Sequence, residues 1–307
     1  MSDNFTMKTA SMRAVNTDSL KIDAKKISSE KIILGGKDLQ ELLDEGTLTY
    51  PEMMKRKNIP EDAICILYDD NSDWVYTQNL VKMIINQNTF RGQRGLKEIN
   101  FDTSKVKNFS GAFSRCEGLT NAEIDASGCI NFYSCFRDCI NLKSLKIKNI
   151  NSSITNIGEI VYNCNKLETF ICNTSNITHG NWGFQGCSSL KYLFDEDGIS
   201  LPNFSNLKEG YAMFDSCGVL EKFYSSLPSL VNGNSMFRGC KLDTLSVETI
   251  LNSIPVYTDG TEHLLQLTMD KSAIDKFKEI TNYSGDISTA IKVIDFKGWK
   301  LSFNYKK

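Results

Sequence analysis

Apolar anchors recur along this chain at a nearly fixed interval. The segment FSRCEGL at Phe113–Leu119 returns as FRDCINL at Phe136–Leu142, VYNCNKL at Val161–Leu167, FQGCSSL at Phe184–Leu190 and FDSCGVL at Phe214–Leu220. A last copy, FRGCKL at Phe237–Leu242, is one residue shorter, and an earlier one, FRGQRGL from Phe90, carries Gln93 in the cysteine slot. The motif starts are separated by 23, 23, 25, 23, 30 and 23 residues, a constant unit with insertions of two and seven residues.

Each motif leads into a Leu-x-x-Leu-x-Leu rhythm, as in Leu142, Leu145, Ile147 and Leu167, Phe170, Cys172, which has the period of a short strand. Seven places before the motif stands another apolar residue (Val106, Ile154, Ile177, Leu207, Leu230), or six places in the case of Ile130. The pattern predicts a unit of one short strand, a turn, and one or two helical turns ending in the aromatic and the cysteine. Such a unit cannot cover its own apolar side, so units must stack. Seven of them at about 4.8 Å per strand make a block roughly 34 Å long.

Stacking also accounts for the cysteines. Cys116, Cys139, Cys164, Cys187, Cys217 and Cys240 occupy one slot in successive coils as small buried hydrophobes. Their parallel Cβ bonds give poor disulfide geometry, so free thiols are expected. The pair Cys135 and Cys139 lacks the converging ligands of a zinc site, since Cys129 falls elsewhere in the coil and Cys65 and Cys172 are distant in sequence.

The flanks read differently. Ala63–Tyr68 and Trp74–Thr77 read as strands around a turn, and Asn79–Asn86 as a helix leading into Phe90. After Cys240 a helix is expected at Ser246–Ser253, ended by Ile254-Pro255; alternation then marks strands at Leu265–Met269 and Trp299–Tyr305, with a helix at Lys271–Thr281 between them. Ser19–Leu34 reads as short strands broken by Gly35-Gly36, and Lys37–Asp44 as a helical turn or two. The resulting division is an N-terminal attachment or oligomerisation segment (1–48), an N-terminal cap (49–89), leucine-rich repeats (90–245) and a C-terminal cap (246–307). The N-terminal segment is too narrow for its own core. It is expected to form a homotrimer or dock on a partner protein, the alternative being a flexible arm or a strand lying on the cap.

Asp102–Leu119, DTSKVKNFSGAFSRCEGL, resembles the BspA-type leucine-rich repeat of bacterial surface proteins. Over residues 86–245 the resemblance implies an α/β solenoid of parallel short strands that binds proteins or surfaces and has no catalytic centre. Later units keep the anchors but depart from the Asp-Thr-Ser-x-Val segment. The close of the chain, with SVETILNSIP and a final Lys297-Gly298-Trp299 strand, resembles leucine-rich proteins of phage and prophage fibres. That resemblance implies a fibre tip on a virion assembled in the host cytoplasm, with the N-terminal segment docking on other virion proteins.

Composition narrows the function. Of 307 residues, 41% are apolar and 23% charged, which excludes disorder of the whole chain. Lys plus Arg total 35 against 37 Asp plus Glu, so no global field favours nucleic acid or anionic lipid. The polar Met1-Ser2-Asp3-Asn4 start and the short apolar runs lead us to expect neither a general secretion signal nor membrane insertion. Frequent Asn-x-Ser/Thr triplets, such as those at Asn108 and Asn176, read as Asn-rich composition. Only His179 and His263 are present, without a surrounding motif, and no phosphate-cradling, nucleophile-elbow or zinc-protease sequence occurs. An enzyme, a cofactor and a metal are therefore not expected. Asp69–Asp73 departs from a calcium loop at Trp74 and Leu80, and Asp195–Gly198 reads as an acidic turn.

Strand period two, with Leu145 and Ile147 inward, sends Ser144, Lys146 and Lys148 outward. The same register turns out Thr169, Ile171, Tyr192, Phe194, Lys222 and Tyr224. We take Lys146, Lys148, Ile171, Tyr192, Phe194, Lys222 and Tyr224 as the candidate site for a host surface protein or glycan, because flat rings beside lysines supply contact area at low entropic cost. The bland alternatives are strand propensity alone, or cover by the insertion after Leu193. The leading expectation is a virion fibre or adhesion protein; the runner-up is a BspA-like surface adhesin or a cytoplasmic interaction scaffold.

Overall fold

The computed structural model describes residues 90–306 except 100–102 and 105, together with the backbone of six short strands before residue 90. Of these, β1 (Ala10–Arg13) pairs antiparallel with β2 (Ser19–Ile22), and β3 (Ile33–Leu34) with β4 (Lys37–Asp38). β5 (Ile66–Asp69) pairs antiparallel with β1 and with β6 (Trp74–Tyr76). Strands thus occur within Ser19–Leu34, and at Ile66–Asp69 and Trp74–Tyr76, where the sequence reading expects two strands around a turn. Lys37 and Asp38 are a correction: they pair with Leu34 and Ile33 and start no helix. Residues 39–44 and the helix expected at 79–86 lie outside the described residues.

One wall of the repeats is a parallel sheet of β7 (Asn121–Asp125), β8 (Ser144–Lys148), β9 (Thr169–Cys172) and β10 (Tyr192–Phe194), in that spatial order. Period-two alternation holds in each strand. Ala122, Leu145, Phe170 and Leu193 are in register and buried, as are Ile124, Ile147 and Cys172.

The facing wall corrects the sequence reading. Among the described residues, no helical turn leads to the aromatic and cysteine anchors. Instead, alternate N–H groups bond along the stack and within the coil: Phe109, Gly111, Phe113 and Arg115 donate to the carbonyls of Asn131, Tyr133, Cys135 and Arg137 in the next coil, whereas Ala112, Ser114 and Cys116 donate to Phe109, Gly111 and Phe113. The coils of Phe136, Val161, Phe184 and Phe214 repeat this scheme. Its geometric cause is a left-handed residue two places before each motif start (Gly111, Ser134, Glu159, Trp182, Ala212, Ser235) and another two places after it (Gly92, Arg115, Asp138, Asn163, Gly186, Ser216, Gly239). A reversal every four residues cannot continue a right-handed helix. Apolar spacing alone does not separate such a ladder of turns from helical turns, since both bring every third or fourth side chain inward.

The anchors fill the space between the walls. Phe90, Phe113 and Phe136 stack with ring centroids 5.1 Å apart, and Phe184, Phe214 and Phe237 continue at 5.0 and 5.6 Å. Each cysteine of the recurrent slot is fully buried. Its thiol donates to the carbonyl of the motif's first residue one coil back: Cys116 to Phe90, Cys139 to Phe113, Cys164 to Phe136, Cys187 to Val161, Cys217 to Phe184 and Cys240 to Phe214, at 3.0–3.2 Å. All nine described cysteines are free thiols. Cys129, and not Ile130, fills the slot seven places before Phe136; Ile130 is 64% exposed. Parity with the other coils decides this, because a six-residue spacing would turn the side chain out of the ladder.

After Phe237 the sheet changes character. β11 (Gly233–Leu242) carries the last turn wall and pairs in parallel with β12 (His263–Asp270). Between them, α1 (Thr244–Ser253) is capped by Asp243, whose carboxylate accepts the Ser246 N–H, and its Ser246 and Ser253 hydroxyls accept the N–H groups of Phe223 and Leu227. A short 3-10 turn and α2 (Ile274–Thr281) follow. β13 (Lys292–Phe296) and β14 (Trp299–Lys306) form a hairpin, and β14 pairs in parallel with β12. β13 is an additional strand that the alternation did not reveal. Lys297 and Gly298, both left-handed, make its two-residue connection to β14.

Candidate functional site

The strand wall arranges the predicted outward residues in rows across the coils. Glu123, Lys146, Ile171 and Phe194 lie in register, and Asn121, Ser144, Thr169 and Tyr192 form the neighbouring row. Lys148 lies opposite Asp125 in a third row, and its ammonium meets the Glu123 carboxylate at 2.5 Å. The Glu123 pKa is lowered by the hydrogen bond from Lys148, and the Lys148 pKa is raised by the same bond. Tyr192 is 51% exposed and its ring stacks beside that of Phe194, with centroids 6.1 Å apart. Lysines, an aliphatic residue and two aromatic rings thus share one face.

Lys222 and Tyr224 stand apart. The four-stranded sheet ends at β10, and residues 221–226 run beyond it without strand pairing. The half-buried Tyr224 donates its hydroxyl to Asp243 at 2.6 Å, the carboxylate that caps α1. Burial, reinforced by that carboxylate, pushes the Tyr224 pKa up to about 12.

The seven-residue insertion borders this face. Asp195 N–H donates to the Ser200 carbonyl, and the Asp197 carboxylate accepts the N–H groups of Ile199 and Ser200 and the Ser200 hydroxyl. Glu196 reaches back to accept the Asn149 N–H at 2.7 Å. Gly198 lies against Ile171, leaving room for no more than an ordinary contact. The insertion therefore leans on Ile171 and leaves Tyr192 open, while its own Ile199 and Leu201 are 83% and 53% exposed. A missed signal is legible here: an aliphatic pair in an acidic, Gly-containing turn has no core to enter.

Both histidines meet a hydroxyl, and His263 also meets a backbone carbonyl and, at 3.4 Å, the Asp259 carboxylate. His179 is exposed, with Nδ1 2.8 Å from the Thr178 hydroxyl. The buried His263 stacks on Tyr257 at 3.5 Å, with Nδ1 3.0 Å from the Val231 carbonyl and Nε2 2.6 Å from the Thr261 hydroxyl. Among the described residues no group of three His, Cys, Asp or Glu side chains is placed to hold a metal ion. Burial raises the thiol pKa of Cys116, Cys172, Cys187 and Cys240 far above the ordinary value, which suppresses nucleophilic thiolate.

The Asn-rich triplets acquire a role. Asn108, Asn151, Asn173 and Asn203 each accept, through the side-chain oxygen, the N–H of the serine two residues on. The Asn-x-Ser pattern is thus a repeated turn device, as Asp125 and Ser127 also show.

Comparison with curated proteins and with solved structures returned no match. The BspA type leucine rich repeat region matches residues 74–191 and 150–259, in six copies, together more than half of the chain. Such repeats imply a protein-binding or adhesion role, and the wall-to-wall stacking described above is the architecture they require. On its repeat spacing, its parallel ladders and this match, the chain belongs to the BspA-type leucine-rich-repeat family.

Proposed function

We propose that this chain is a non-enzymatic adhesion module that grips a protein partner with the strand face around Tyr192, Phe194, Ile171 and the tip of the insertion. The observation that carries the reading is the stacked ring pair of the exposed Tyr192 and the half-buried Phe194, followed in the insertion by the exposed Ile199 and Leu201. Exposed aromatic area on a rigid strand face is the composition of interface anchors. In this reading seven coils form the rod, the C-terminal sheet closes it, no cofactor is used, and residues 1–48 attach the module to its carrier or to a second copy.

Two settings fit the module. The repeat family favours a bacterial surface or scaffold protein, and the pattern of the closing segment suggests a virion fibre. Mass spectrometry of gradient-purified particles against a washed cell-surface fraction separates them.

The face is tested by attachment of the labelled full chain to intact cells of the source culture. Tyr192→Ser with Phe194→Ser should cut attachment at least about tenfold, a loss of about 1.4 kcal/mol or more. Tyr224 is left in place, because its bond to Asp243 ties it to the fold and its replacement would confuse binding with stability. Unchanged attachment rejects the face.

A further inference from the structure

We propose a second binding site, for a neutral oligosaccharide, on the turn wall opposite the strand face. It is independent of the protein-binding reading. Its platform is Tyr133, Trp182 and Tyr211. Tyr133 is 41% and Trp182 37% exposed, and the Trp182 and Tyr211 rings meet edge to face at 5.2 Å. A Cβ on Gly158 would lie 3.2 Å from the Tyr133 ring, so the glycine lets that ring lie along the wall towards the next coil. The platform spans coils three to six, about 14 Å at ~4.8 Å per coil.

Trp182 marks the site because the fold does not ask for it. Its slot is left-handed in every described coil, and the other occupants are Gly111, Ser134, Glu159, Ala212 and Ser235. A bulky indole at φ 57 strains the backbone and, being exposed, contributes little to the core.

Beside the rings stand oriented amides. Asn131, Asn156 and Asn181 spend their side-chain oxygens on the N–H groups of Tyr133, Gly158 and Tyr211, at 3.1, 2.7 and 2.9 Å. The Nδ2 group of each is left for a ligand, in a fixed direction. Of the ionisable groups on this wall, Arg137 and Glu159 are paired with each other, and His179 and Glu209 continue the row of Asn156 beside Trp182 and Tyr211. Rings bordered by oriented amides match the apolar faces and hydroxyl edges of an uncharged sugar chain, and the Glu209 carboxylate is placed to accept its hydroxyls. A protein partner would call for a contiguous apolar centre, which this strip, interrupted by amides, does not offer.

The test is isothermal titration of the full chain with linear neutral hexasaccharides of glucose, N-acetylglucosamine, mannose and xylose. At least one should bind, and Trp182→Asn with Tyr211→Ser should weaken it at least about tenfold. Asparagine tolerates the left-handed backbone, so this variant should keep its thermal midpoint; Trp182→Phe, which retains a ring, should keep most of the affinity. Tyr192→Ser with Phe194→Ser should leave sugar binding unchanged. The site is overturned if no panel member binds up to about 10 mM, if binding survives the turn-wall variant, or if only the strand-face variant abolishes it.

Discussion

The thiol ladder shows why the recurrent slot takes cysteine. The slot is dry, small, and faces a carbonyl of the preceding coil, which already accepts one bond within its own turn. A thiol fills the volume and adds a weak donor at little desolvation cost. Cys164→Ala removes both the packing and the donor, and should lower stability by about 1 to 2 kcal/mol in urea titration; Cys164→Ser, which keeps a donor, should lower it less. On the turn wall, burial of Glu159 works to raise its pKa, but bonds from Tyr133, Ser134 and Arg137 outweigh it and the net shift is downward. A carboxylate lowered on folding stabilises the fold fully above its unfolded value, near pH 4.3, and that contribution is lost as pH falls through the folded value. Glu159→Gln should therefore reduce stability at neutral pH and flatten its decline between about pH 5 and pH 3, as read by thermal unfolding across that range.

Among the elements, neighbouring coils exchange volume. Phe109 and Phe132 fill a slot of the early coils that Gly180, Gly210 and Gly233 leave open later, and Met213 and Met236 enter from the following coil to occupy it. A Cβ on Gly180 would meet the Met213 sulfur at 2.6 Å, the movable end of a flexible side chain. Gly180→Ala should cost less than about 1.5 kcal/mol, and combined with Met213→Ala the two losses should add to less than their sum. Gly118 is different, since its Cβ would strike the backbone carbonyls of Arg94 and Leu96 at 2.4 and 2.7 Å. Gly118→Ala should cost at least about 2 kcal/mol, because two backbones must separate; chemical denaturation of the four variants, the Met213→Ala single included, gives the ranking. The strands of the leucine rhythm were legible because alternation fixes one inward face. The turn wall was not, because left-handed residues there are as often Ser, Asp or Glu as Gly, and the sequence carries no mark of φ at such residues.

For the molecule as a whole, the end of the stack is the weak point. β12 is hydrogen-bonded to the last turn wall, and Leu265, Leu267 and Met269 are buried against it. A chain ending at residue 258 would bare the β11 edge and its apolar neighbours, and should elute as aggregates in size-exclusion chromatography while the full chain does not.

The sequence by itself determined the repeat, its period, the inward identity of nearly every anchor and the family, because burial in a stack is a property of spacing that each coil states again. It also placed Lys146, Ile171, Tyr192 and Phe194 on one strand face, since period two leaves no other direction. Tertiary structure decided what spacing cannot express: that the aromatic wall is a ladder of reversals, that Cys129 and not Ile130 faces inward, that Tyr224 belongs to a helix cap, and that the insertion folds back onto Ile171. Each of these depends on which backbone groups of one coil meet those of another, a choice made only when the coils are in contact.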